Sequence, residues 1–300
     1  MIIWISSYPK SGNTWLRSLI SNYFFSKDGK FNFELIKQID SFPNSKFFRK
    51  YKDKFENPED TSKYWINEQE KINSLSKVFF FKTHNALCKI SGNKFTNQKN
   101  TLAAIYIIRD PRNVITSIST HYQISKHEAL NFMKDKNRGI IEQEGKRFTG
   151  FQALLSWDLH VKSWTENTLY PTLTIRYEDL ILNTFSTFEK VVSFINKVTN
   201  SKKGIDQIKL EKCVDNCKFS NLKKIRLYRE TPDENGQMVY IIDLTSFLKS
   251  GDRSNFPKIK PNDTIVIKKT LTGVLIEDLS TIQTFISGIT LFFQLYTIFN

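Results

Sequence analysis

Ile2-Ile3-Trp4-Ile5-Ser6-Ser7-Tyr8-Pro9-Lys10-Ser11-Gly12-Asn13-Thr14-Trp15 reads as a buried strand, a tight turn carrying one lysine, and the first turn of a helix. The apolar run does not alternate, which suits a strand covered on both faces. Pro9 and Gly12 break it, Asn13 and Thr14 offer capping side chains, and Trp15, Leu16, Leu19 and Ile20 follow at helical spacing. A helix starting at such a turn presents unpaired N–H groups at the positive end of its dipole, so geometry and field together favour a docked anion. Lys10 adds a full charge. In the nucleoside-triphosphate loop G-x-x-x-x-G-K-[ST] the lysine follows two glycines, whereas here it precedes the single one. The segment points to phosphate but away from an ordinary ATP or GTP site. The plainer alternative is a strand-turn-helix with a solvated lysine.

Similar apolar runs recur at Val78–Phe81, Ala103–Ile108 and Leu173–Ile175, each followed by polar residues and a helical pattern. Helices are expected at 113–125, 127–134, 150–168 and 184–197. The order β-α-β-α with continuous apolar strands predicts an α/β fold: a single P-loop-like domain whose central, mostly parallel sheet is flanked by helices. Ligand chemistry is then expected at the carboxyl ends of the strands. The aromatic and polar stretch from Asp28 to Ser76 is expected to cover one side of the core.

The 300 residues, 40% of them hydrophobic, can bury a substantial core, and no Pro-, Gly- or Ser-rich linker divides them. A formal charge of +14 favours anionic ligands, but the lysines are spread over nearly every segment instead of forming a stripe, so nucleic acid is not indicated. The chain opens directly into a strand without a secretory-signal pattern. Cys88, Cys213 and Cys217 have no second pair or histidine cluster that would make a zinc site, and a reducing cytoplasm with free thiols fits best.

Two further clusters fall at strand ends. Phe81-Lys82-Thr83-His84 places a cation and an imidazole just past the second run, where a histidine can take a proton from a hydroxyl and a lysine can stabilise charge on a leaving oxygen. Arg109-Asp110-Pro111-Arg112-Asn113 leads into a helix, with Pro111 at the bend, Asn113 as cap and Ser117 one turn in. Arg109 and Ser117 are placed to face one anion. The bland readings are a surface histidine at 84 and an Arg109–Asp110 surface pair.

These segments together resemble the sulfotransferase family. Tyr8 to Trp15 is similar to its 5′-phosphosulfate loop, Phe81 to His84 to its K-T-H segment, and Arg109 to Ser117 to its 3′-phosphate motif, in the family's order. Trp157 to Trp164 resembles the W-x6-W helix, and Arg176 to Leu180 the Y-E-D segment. The resemblance implies transfer of a sulfuryl group from 3′-phosphoadenosine 5′-phosphosulfate to a hydroxyl or amine without a metal. It implies that Lys10, Ser11, Gly12, Asn13, Thr14 and Trp15 hold the 5′-phosphosulfate, with Lys10 on the leaving oxygen and Trp15 against the adenine. Arg109 and Ser117 would bind the 3′-phosphate, Tyr177 and Phe219 the adenine. His84 would be the base and Lys82 would support the transferring group.

The family's closing R-K-G segment stands here as Lys249-Ser250-Gly251; Lys249 and Gly251 carry over, with a point charge where the family has the arginine fork. The resemblance spans most of residues 2–256; residues 1–260 are expected to form the domain, and 261–300 read as a divergent extension. Residues 279–300 carry no charge but are interrupted by serines, threonines and glutamines, so a helix packed on the domain is expected over a membrane anchor or an altered reading near the end. The acceptor is expected to be a small-molecule or glycan hydroxyl, with no nucleic acid; acceptor identity and oligomeric state stay open. Two alternatives stand beside this reading: a kinase-like phosphotransferase using Asp110 to hold a metal, and a catalytically lapsed anion-binding protein.

Overall fold

A computed structural model describes residues 1–30, 33–217, 224–228, 238–243 and 264–267. The chain divides into two compact units, Met1–Asn216 and Cys217–Asn300. In the second unit, β10 (Lys224–Tyr228) pairs antiparallel with β11 (Val239–Asp243) and β12 (Thr264–Ile267).

The first unit is built on five parallel strands in the order β2-β3-β1-β6-β9. These are β1 (Ile2–Ser7), β2 (Asp40–Ser41), β3 (Phe79–Thr83), β6 (Thr101–Ile108) and β9 (Thr172–Arg176). The expected α/β fold is borne out. All six residues of β1 are buried, which explains why its sequence does not alternate. Trp4 anchors one face: its indole N–H donates to Thr101 Oγ1 at 2.9 Å, and its ring meets Phe42, Phe81 and Phe95. Phe42, Phe48, Phe55 and Trp65, all from the aromatic stretch after Asp28, join this cluster, so that stretch covers one side of the sheet as expected.

Helices fill the connections: α1 (Asn13–Phe25), α2 (Ser45–Phe48), α3 (Trp65–Asn73), α4 (Pro111–Tyr122), α5 (Lys126–Lys134), α6 (Trp157–Thr165), α7 (Tyr177–Leu182), α8 (Thr184–Val198) and α9 (Gln207–Asn216). A short hairpin pairs β4 (Lys89–Ile90) with β5 (Asn93–Lys94). The helix expected over 150–168 is corrected. Residues Arg147–Ala153 form strand β8, paired antiparallel with β7 (Gly139–Glu144), and the helix begins only at Trp157. Gly145, at φ 61, closes this hairpin, and ladder bonds along it outweigh the local helical spacing. Among the described residues no helix is long and apolar enough to cross a membrane. Phe219, Lys249, Gly251 and the uncharged tail 279–300 lie outside the described residues.

Candidate active site

Parallel register brings the strand ends together. Ser6 pairs with Thr83 and with Tyr106, and Ile108 pairs with Arg176. The residues next in line, Ser7 to Lys10, His84, Arg109 and Tyr177, therefore emerge along one end of the sheet.

The β1–α1 turn passes through the left-handed region at Lys10 (φ 67) and Gly12 (φ 95). Glycine is required at 12 for a second reason: a Cβ there would lie 2.3 Å from Cδ2 of Tyr177. Gly12 is also the N-cap of α1, which corrects the expected capping by Asn13 and Thr14. Asn13 Nδ2 reaches back instead, donating to the Ile5 carbonyl (3.0 Å) and to Ser7 Oγ (3.1 Å). Its buried side chain braces the loop, and what Asn13 presents at the helix start is its backbone amide.

Arg109 closes this cradle. Its Nη1 donates to the Lys10 carbonyl at 2.8 Å, and its guanidinium lies 4.4 Å from the centroid of the Tyr177 ring. Tyr177 in turn meets Trp15 edge-on at 6.3 Å. Glu178 ties the same corner, accepting from the Asp110 amide at 3.0 Å. Burial, followed by the neighbouring Arg109 charge, lowers the Lys10 pKa; the attraction of an anion docked beside Lys10 would offset both. Ser11 Oγ and Arg109 Nε are buried and have no hydrogen-bond partner among the described residues, so the cradle has unused donors for phosphate or sulfate oxygens.

The start of α4 differs from expectation in two details. Asp110, not Asn113, caps it, accepting from the Arg112 amide, and the Arg112 guanidinium folds back onto the same carboxylate. Hydrogen bonds from Arg112 hold the Asp110 carboxyl down at about 2, so this carboxylate is engaged, which weakens its candidacy as a metal ligand. Because α4 begins at Pro111, Ser117 lies in its second turn, past the unpaired amides of the helix start, so any role toward an anion falls to its hydroxyl.

His84 sits one strand away. Its Nδ1 is 2.7 Å from the carbonyl of Ser7. A carbonyl oxygen accepts, so Nδ1 carries the proton and Nε2 holds the lone pair. The His84 amide donates to Gln152 Oε1 at 3.0 Å, and its carbonyl accepts from His160 Nε2 at 3.1 Å. Burial pushes the His84 pKa well below its ordinary value, with the Lys82 charge next and His160 and Arg17 adding, so the imidazole is neutral at pH 7. Lys82, two residues earlier and half-buried, is itself pushed down to about 7 by burial and the Arg17 charge, against an opposing pull from Glu142. Arg17, Glu142, Gln152 and His160 were not singled out by sequence reasoning. Arg17 had a signal, a lone charge inside the apolar run Trp15 to Ile20; its Nη2 donates to the Ile39 carbonyl at 2.6 Å.

Residues 2–261 match the family described as the sulfotransferase domain. The chain belongs to the sulfotransferase domain family. Among curated proteins it is similar to Sulfotransferase 1 family member D1 of Mus musculus, 26% identical over 197 residues, covering 65% of this chain and 59% of that protein. It is also 24% identical over 288 residues to Sulfotransferase 1B1 of Mus musculus, covering 93% and 85% respectively. Among solved structures, a retinol dehydratase in complex with androsterone and inactive cofactor PAP superposes with a TM-score of 0.46 at 17% identity, covering 74% of this chain and 65% of that one. Within this sulfotransferase domain, Lys10 to Trp15, Arg109 and Tyr177 form one connected group, and Lys82 and His84 a second group beside it.

Proposed function

We propose that the protein transfers a sulfuryl group from 3′-phosphoadenosine 5′-phosphosulfate to a hydroxyl, or secondarily an amine, of a small-molecule or glycan acceptor. The observation that carries this reading is the Nδ1 hydrogen bond of His84 to the Ser7 carbonyl, which leaves a neutral imidazole with its Nε2 lone pair available. In the proposed step the acceptor oxygen attacks sulfur while Nε2 takes its proton. The bond from sulfur to the 5′-phosphate oxygen breaks, and Lys10 with the α1 amides receives the charge on the leaving phosphate. Arg109 and Ser117 hold the 3′-phosphate, and Trp15 and Tyr177 the adenine; Phe219, Lys249 and Gly251 are assigned to nucleotide binding by the family resemblance of their sequence segments alone. Lys82 supports the transferring group. Positioning and electrostatics supply the rate, as in phosphoryl transfer. We take the catalytic domain to be residues 1–260, with 261–300 an extension, and the cytoplasm as its compartment.

Incubation with the donor and a panel of hydroxylated metabolites, without magnesium, is expected to yield 3′-phosphoadenosine 5′-phosphate and sulfated product. His84→Ala is expected to lower turnover by roughly 10²-fold or more with donor affinity unchanged. Binding of magnesium-ATP alone would return the chain to the kinase-like alternative, and equal turnover in the variant would remove His84 from the mechanism.

A further inference from the structure

His84 follows the last residue of β3, where the ladder that holds the strand has ended. Its main chain is nevertheless fixed on both sides. Gln152 of β8 accepts from its amide at 3.0 Å, and His160 of α6 donates to its carbonyl at 3.1 Å. Gln152 is 5% exposed and His160 is fully buried. The peptide that follows is held by the same two elements: Ala153 donates to Asn85 Oδ1 at 2.8 Å, and the Trp164 indole to the Asn85 carbonyl at 3.0 Å.

His160 uses both ring nitrogens. Since Nε2 donates to a carbonyl, Nδ1 is the acceptor, and the Tyr106 hydroxyl of β6 donates to it at 2.9 Å. Tyr106 stacks on Trp164, and the Tyr8 ring meets His160 edge-on at 5.4 Å, so the imidazole is wedged between rings and cannot turn freely. The result is a buried strut running from a central strand to the backbone of the proposed base.

We infer that His160 and Gln152 are positioning residues: a two-sided clamp on the His84 peptide that aims its imidazole at the acceptor. This inference rests on the assignment of His84 as base. The clamp acts through His84 and touches neither donor nor acceptor, so it should govern turnover and leave donor binding alone. Misplacement of a reacting group by about 1 Å can cost 10²-fold, so holding a backbone that has left its sheet is worth a measurable rate.

Two substitutions at one position separate a clamp from simple core filling. His160→Gln carries its amide to the place of Nε2 and keeps a donor for the His84 carbonyl. His160→Asn ends at the place of Nδ1, keeps an acceptor for Tyr106, and loses the bond to His84. With folding checked by thermal melting, the Gln variant is expected to keep kcat within about threefold and the Asn variant to lose roughly tenfold or more. Affinity for 3′-phosphoadenosine 5′-phosphate should be unchanged in both. Equal loss of kcat in the two folded variants, or donor affinity falling in step with kcat, would overturn the clamp. Should changes at 160 prevent folding, Gln152→Met tests the other jaw: about tenfold lower kcat with donor affinity intact supports the clamp, and unchanged kcat overturns it. Full turnover in His84→Ala is the separate result that removes the base assignment itself.

Discussion

The β1–α1 turn and the turn after β3 lie on neighbouring strands, yet their polar groups are treated in opposite ways. In the first, Ser11 Oγ and the Nε of Arg109, which leans in from the end of β6, are buried donors without hydrogen-bond partners among the described residues, and two cations crowd each other. In the second, the amide, carbonyl and Nδ1 of His84 are all bonded, as are the amide, carbonyl and side chain of Asn85. The difference matches the two tasks we propose for them. A surface that must exchange hydrogen bonds with a charged ligand keeps unused capacity and accepts its cost in the free protein. A group that must meet a proton at one place is oriented beforehand.

Gly12→Ala should damage the first region most. The new methyl would be forced against the Tyr177 ring at a backbone φ of 95. Left-handed strain and overpacking each cost about 1–3 kcal/mol, so the affinity for 3′-phosphoadenosine 5′-phosphate is expected to fall by roughly 10²-fold or more. Turnover at saturating donor should change far less, because the His84 turn is held from β8 and α6. A titration calorimetry series with parallel kcat values checks this; an equal collapse of both would break the separation between the regions.

Acid should strike the second region. His160 is fully buried and burial lowers its pKa to about 4, with the bond to His84 opposing weakly. The unfolded chain binds this proton below about 6.5, whereas the folded chain does so only below about 4, so stability is lost as pH falls between those values. The shift corresponds to about 3 kcal/mol, and the lowered His84 pKa acts in the same direction. Urea denaturation at pH 7.5 and 4.5 should show a larger acid loss for the wild type than for His160→Gln. Equal losses would exclude His160 as a source of the acid sensitivity.

The same contrast explains what the sequence made legible. Strand, turn and helix at residues 2–15 follow from local rules, as does Arg109 at the end of its apolar run, and all stand where expected. The direction of the Asn13 side chain did not follow, because its acceptors on Ile5 and Ser7 come within reach only once the turn has closed. Phe148, Phe151, Leu154 and Leu155 have helical spacing, and pairing with Gly139–Glu144 overrides it in β8. That misreading concealed Gln152. Contacts made along the chain can be read from it, while those that orient His84 come from positions about seventy residues away and depend on the finished sheet.

Arg109→Lys is a smaller test of the donor side. Lysine keeps the charge but loses the planar group that bonds the Lys10 carbonyl and lies over Tyr177. Donor affinity is expected to fall by about tenfold, the scale of one charge-assisted hydrogen bond, with kcat nearly unchanged. Unchanged affinity would mean that the 3′-phosphate is held without the fork.

The smallest expected effect joins the two regions. Asn13 belongs to the donor loop, but its Nδ2 bonds Ser7 Oγ, and the Ser7 carbonyl fixes the tautomer of His84. Asn13→Ala removes that tie and the bond to Ile5, each worth about 1 kcal/mol. Because Ser7 remains paired in β1 with β6, its carbonyl should shift only slightly, and kcat should drop by no more than a few-fold. A double-mutant cycle with Ser7→Ala should give a coupling of about 0.5–1 kcal/mol in stability and little in turnover. A coupling seen in turnover as strongly as in stability would show that the loop and the base act as one unit, and the two regions would have to be treated as a single preorganised site.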